Sequence, residues 1–212
     1  AAPSAARVPG RCDILLVEDD GAGVRTEVPD TLATLLGGAT RALPRHIVLK
    51  TCAPVGHGSL WWLLAGRQAV ADRLLVIVSI DDLRRADVRI SQGISWERTA
   101  EDLVRELAAS PALSPLRHAR HIVVTIGSEG ALWMRRPGHV GAAPRATLVF
   151  DPSHMESEWS RAAGVKGGAY GFHAVFSAAV ACRLALDRAT DDSGAIVCGI
   201  ERGVLAMRAA RN

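Results

Sequence analysis

The chain has 212 residues, 49% apolar and 22% charged, enough to bury one core and too short for a large multidomain machine. Its net charge is +3, and the 25 basic residues, all arginine except Lys50 and Lys166, are scattered or form isolated pairs such as Arg84-Arg85 and Arg135-Arg136. Without a basic block or an apolar run of the roughly 18 residues a spanning helix needs, neither nucleic acid nor a membrane is expected as a partner.

Residues 1–10 read as a disordered linker end ahead of one α/β domain over 11–212, and the chain as a piece of a longer protein whose other domains are possible partners. Cys12, Cys52, Cys182 and Cys198 stand far apart with no C-x-x-C, the pattern of a reduced, cytoplasmic protein. Residues 12–18 are an apolar run closed by acids, which predicts a buried strand, and 46–50 repeat the pattern. Residues 59–71 have apolar positions at helical spacing, with Ser59 suited to cap their start. The stretch 74–79 is the most strand-like in the chain. Residues 98–109 predict an amphipathic helix with Leu103, Val104 and Leu107 on one stripe, stopped by Pro111 and Pro115. Further strands are predicted at 121–126 and 146–150, and helices at 172–186 and near 194–209. Unbroken Val, Ile and Leu strands alternating with helices define a three-layer α/β fold, a mostly parallel sheet with helices on both faces.

Few chemical signatures survive inspection. There is no H-E-x-x-H, no G-x-S-x-G and no G-x-x-x-x-G-K-[ST]. Residues 14–20 resemble the first strand and acidic pocket of a response-regulator receiver domain, but the second strand closes on Lys50 where the acceptor Asp belongs. Glu18, Asp19 and Asp20 then stand as strand-end acids at the carboxyl edge of a sheet, where α/β folds place ligands. Gly56, Gly58 and Ser59 form a glycine loop at a predicted helix start. His118 and His121, beside Arg117 and Arg120, read as surface polar residues, and the tryptophans Trp61, Trp62, Trp96, Trp133 and Trp159 as core or interface anchors.

The second half carries the stronger signal. Residues 122–133 are a buried strand, a loop with Gly127 and Gly130 three apart, and a return strand. Some forty residues on, Gly164, Gly167, Gly168 and Gly171 punctuate a loop that feeds a helix of small residues. The first segment resembles the "V-T-x-G-x-x-G-A" strand and loop of the ribokinase-like carbohydrate kinase superfamily, and the second stands where its "G-A-G-D" anion hole and following helix belong. Residues 76–84 are similar to the strand bearing that superfamily's "N-x-x-E" loop. Residues 81–133 also resemble kinase-like regions of larger bacterial regulatory proteins with ryanodine-receptor-type repeat domains.

The resemblance implies nucleotide contacts from Thr125, Gly127, Ser128 and Gly130, and an anion hole from Gly168, Ala169, Tyr170 and Gly171. It implies substrate contacts from Asp19, Asp20 and Lys50, with ATP or ADP as phosphoryl donor and magnesium held by Asp81, Asp82 or Glu97. The catalytic letters depart from the pattern: glycine stands where the general base Asp belongs, and His173 is the nearest ionisable side chain. Two expectations follow. One is a degenerate ribokinase-like module that binds a nucleotide or phosphorylated small ligand in a regulatory or sensing role. The alternative is a small-molecule kinase acting on a sugar-like hydroxyl. Loss of a general base, commonly about 10²–10⁴-fold in rate, favours the module.

Overall fold

The structure, a computed structural model, describes residues 13–18, 36, 43–51, 67–90, 96–126, 131–136, 145–149, 169–186 and 192–209. The apolar runs form a sheet of six strands, β1 (Ile14–Glu18), β2 (His46–Thr51), β3 (Leu74–Ser79), β4 (His121–Thr125), β5 (Ala131–Arg135) and β6 (Arg145–Val149). Strands β1 to β4 are parallel, and β5 and β6 continue the sheet antiparallel. The strands expected to end near Glu18, Lys50, Ser79 and Ile126 are thus neighbours in one mostly parallel sheet. The helices are α1 (Gln68–Ala71), α2 (Ile80–Arg85), α3 (Trp96–Ala109), α4 (Ala169–Leu186) and α5 (Asp192–Ala209), with a 3-10 helix at Pro111–His118. Of the helix expected over 59–71, only its last turn, α1, falls within the described residues.

Strand order follows chain order without reversal. Right-handed crossovers that all advance the same way must lie on the same face of the sheet. Leu36 and Leu43 from the first crossover, Val70 from the second, and Leu103, Leu107, Leu113 and Leu116 from the third all join one core with Ile47, Leu49, Val76, Val78, Ile122 and Val124. The alternate residues Val48, Leu75, Ile77 and Val123 point the other way. They pack against Phe176, Val180 and Leu184 of α4 and Ala195, Ile196 and Ile200 of α5. The result is the expected three layers, with crossovers on one face and the α4–α5 pair on the other.

α3 ends at Ala109 and the chain turns at Pro111, which lacks the N–H a further helical turn needs. Arg117 takes over the loose helix end, donating from Nε to the Leu107 carbonyl at 2.5 Å and from Nη2 to that of Ser110 at 3.0 Å. Arg136, just past β5, reaches back to the turn after α1. Its Nη2 pairs with Asp72, and its Nη1 donates to the His118 carbonyl at 2.6 Å.

The Arg136 hydrogen bond holds the Asp72 carboxyl below the usual carboxylate range. A carboxyl depressed in the folded state adds stability above its unfolded pKa, and the gain is lost as pH falls through the folded value. Asp72 is 46% exposed, so the contribution is small. Asp72→Asn is expected to cost about 0.5–1 kcal/mol at neutral pH. Urea titrations of both proteins should converge below about pH 4; an equal gap at pH 3 and pH 7 would contradict the pairing.

Candidate functional site at the carboxyl edge

The α4-facing side of the sheet is apolar through Ile77 and Val123 and becomes polar where the parallel strands end. The strand register and the two-residue alternation place Glu18, Lys50, Ser79 and Thr125 on this one face. Glu18 lies opposite Lys50, and Ser79 opposite Thr125. Lys50 is half-buried, Ser79 is buried, and Thr125 has no solvent exposure at all.

α4 is tied to this edge through Ser177. Ser177, fully buried near the middle of the helix, donates to Glu18 Oε1 at 2.7 Å. From there the C-terminal half of α4 runs over the sheet, with Val180, Ala181 and Leu184 in the core. Its N-terminal half therefore extends on the carboxyl side of Glu18. Ser177 is not among the residues that the sequence pattern singles out. Its mark in the sequence is a lone hydroxyl on a buried stripe otherwise made of Phe176, Val180, Ala181 and Leu184.

The expected anion-hole residues divide at the helix start. Ala169, Tyr170 and Gly171 are helical, so α4 begins three residues before the predicted position, and Gly168 lies outside the described residues. The N–H groups of residues 169–171 belong to a first turn and lack intrahelical acceptors, with the positive end of the helix dipole behind them. His173 follows on the same helix. Gly127, Ser128 and Gly130 also lie outside the described residues. The pairing of Thr125 with Ala131 nevertheless puts both ends of that connection at the carboxyl edge. Asp19, Asp20, Gly56, Gly58 and Ser59 are outside as well.

The stretch after β3, where the resemblance implies the N-x-x-E loop, is the short helix α2. Ser79 accepts from the Asp82 amide at 3.0 Å and donates its hydroxyl to Asp82 Oδ2 at 2.6 Å, a reciprocal cap formed with the carboxylate three residues on. Asp82 Oδ1 pairs with Arg85 at 2.9 Å, so both oxygens are engaged, and exposed Asp81 pairs with Arg84 at 3.3 Å. Glu97 is the second residue of α3. Among the described residues no three His, Cys, Asp or Glu side chains gather as a metal set. Removing the cap with Ser79→Ala leaves the Asp82 amide and carboxylate short of a partner. It is expected to cost about 1–2 kcal/mol in denaturant unfolding, and an unchanged midpoint would refute the cap's role.

The two histidines separate. His118 is exposed, as expected, but His121 is not a surface residue: it is 3% exposed. Its place at the start of a central strand buries it. Its Nδ1 accepts from the Trp133 indole N–H at 3.1 Å, which makes Trp133 an anchor on the sheet. Cys182 and Cys198 are free thiols. Among the described residues no helix is long and apolar enough to cross a membrane.

No protein-family model matches the chain, and no curated protein matches it. Among solved structures it is similar to phosphofructokinase-2 from Escherichia coli in complex with fructose-6-phosphate, at 17% sequence identity and a TM-score of 0.49. The match covers 92% of this chain and 51% of that one, so the chain spans about half the length of the enzyme it matches.

Proposed function

We propose that the protein is a degenerate ribokinase-like module that binds a nucleotide or a phosphorylated small molecule at the carboxyl edge of its sheet, in a sensing or regulatory role. The observation that carries this reading is the row of polar strand ends Glu18, Lys50, Ser79 and Thr125 on one face, with α4 bonded to Glu18 through Ser177 and its N-terminal half on the carboxyl side of that bond. A helix start offers unpaired N–H groups to an anion, and Lys50 adds a cation. The order of segments, from the strand ending at Thr125 to the glycines before α4, supports the same assignment. Phosphates are to be held by the backbone of residues 168–171, with Thr125, Gly127, Ser128 and Gly130 on the nucleotide and Asp19, Asp20 and Lys50 on the other ligand group.

Magnesium enters as the counter-ion of the phosphates. The carboxylates that the resemblance assigns to it are Asp81, Asp82 or Glu97. Positioning and electrostatics dominate phosphoryl-group recognition, so such a cradle keeps its affinity when the general base is absent. Calorimetric titration with ATP, ADP, AMP and inorganic phosphate, with and without magnesium, tests the reading. Saturable binding without turnover supports it. ATP-dependent phosphorylation of a sugar or nucleoside, lost in His173→Ala, would establish the kinase alternative, and absence of any binding would remove both.

A further inference from the structure

A second concavity lies at the opposite end of the sheet. A cleft of about 240 Å³ opens between α3, the 3-10 helix and strands β4 and β5, walled by Leu107, Ile122 and Met134 with Arg117, Arg135 and Arg136 beside them. Ile122 is the second residue of β4, and Met134 the fourth of antiparallel β5, which places the cleft at the amino edge of the parallel strands.

The three arginines differ in how they are held, Arg135 being an exposed side chain at the end of β5. Arg136 has the carboxylate of Asp72. Arg117 is exposed and oriented by two neutral carbonyls, those of Leu107 and Ser110. Among the described residues no carboxylate pairs with it. These two bonds use Nε and one side of Nη2, which fixes the guanidinium plane and leaves Nη1 and the full positive charge at the lip of an apolar hollow. A fixed guanidinium binds a carboxylate more strongly than a flexible one, because little rotamer freedom remains to be lost.

We propose that this cleft is a binding site for a small amphipathic carboxylate, its apolar body against Leu107, Ile122 and Met134 and its anionic head on Arg117. The size selects the class. An apolar cavity of about 150 Å³ takes a benzene ring, so about 240 Å³ suits a ring with a short alkyl chain. The one lining guanidinium that is held by two carbonyls and has no carboxylate partner among the described residues suits a compact monoanion. The site is separate from the nucleotide reading, and the two can fail independently.

Phenylbutyrate and its neutral counterpart phenylbutanol, titrated calorimetrically into the full chain at low salt, test the proposal. The acid is expected to bind about tenfold or more tightly than the alcohol, the effect of one charge-assisted pair. Arg117→Gln should bring the acid down to the alcohol's affinity. Ala108→Trp, at an exposed position on the wall, should fill the cleft and abolish binding of both probes while leaving phosphate binding at the other edge unchanged. Equal affinity for acid and alcohol, no saturable binding by the native protein, or binding that survives Ala108→Trp would each overturn the proposal.

Discussion

Gly168→Trp is expected to abolish nucleotide and phosphate binding, whereas His173→Ala leaves the dissociation constant within about twofold. Gly168 immediately precedes the first helical residue of α4, the point at which a phosphate must approach the backbone to reach the N–H groups of residues 169–171. In the proposed binding mode a side chain at this position would stand between ligand and backbone, whereas glycine would leave the approach open. A loss of at least about a hundredfold corresponds to roughly 2.7 kcal/mol, a reasonable share of a bound phosphate's interaction with a helix start. His173 lies beyond that first turn and serves only if a proton must be moved. Binding and turnover therefore separate: calorimetry reads the first variant, and a coupled assay for nucleotide hydrolysis or transfer reads the second. Native-like affinity in Gly168→Trp would place the ligand, if any, elsewhere.

The second large effect concerns the helix pair that covers the site's face of the sheet. A Cβ at Gly199 of α5 would stand 2.7 Å from Val180 Cγ2 and 3.0 Å from two atoms of the Phe176 ring. Neither neighbour has room to retreat, since both side chains are fully buried. In a solvent-facing helix, Gly→Ala gains up to about 1 kcal/mol from propensity. Here overpacking is expected to outweigh that gain and to destabilise by about 1–2 kcal/mol net. For a chain of this size that lowers Tm by about 3–6 °C. Val180→Ala removes the closer obstacle, so Gly199→Ala should cost less in that background. A double-mutant cycle with no coupling between positions 180 and 199 would show that the helices can simply move apart. Displacing α4 also disturbs the Ser177–Glu18 bond, so Gly199→Ala should weaken ligand binding along with stability.

Most of the sheet was legible in the sequence because continuous Val, Ile and Leu runs such as 74–79 and 121–126 suit only a strand buried on both faces, and that burial is a local compositional demand. The return strand after Thr125 was legible for a similar reason: a short glycine-bearing connection between two apolar runs permits little besides a hairpin. The acids after Ser79 were misread because an isolated pair of aspartates looks like a loop. The deciding interaction is the reciprocal bond between Ser79 and Asp82, which forms only when the turn is helical. His121 differs from the surface expectation because its neighbours Arg117, His118 and Arg120 are polar, while its own burial depends on the place of β4 between β3 and β5 and on the Trp133 indole that donates to it from the neighbouring strand.

The sequence by itself determined the α/β class, the approximate strands and helices, and the positions of the glycine segments. All of these rest on residue type and short-range spacing. Tertiary structure alone decided that every parallel crossover falls on one face, leaving the other to α4 and α5. It also decided that Ser177 secures α4 to Glu18 across 159 positions of chain, and that Arg117 ends beside an apolar cleft with its charge unmatched by any carboxylate among the described residues. Such pairings join residues whose local sequence carries no mark of each other. They are settled only when the right-handed twist and the burial of both sheet faces fix which segments meet.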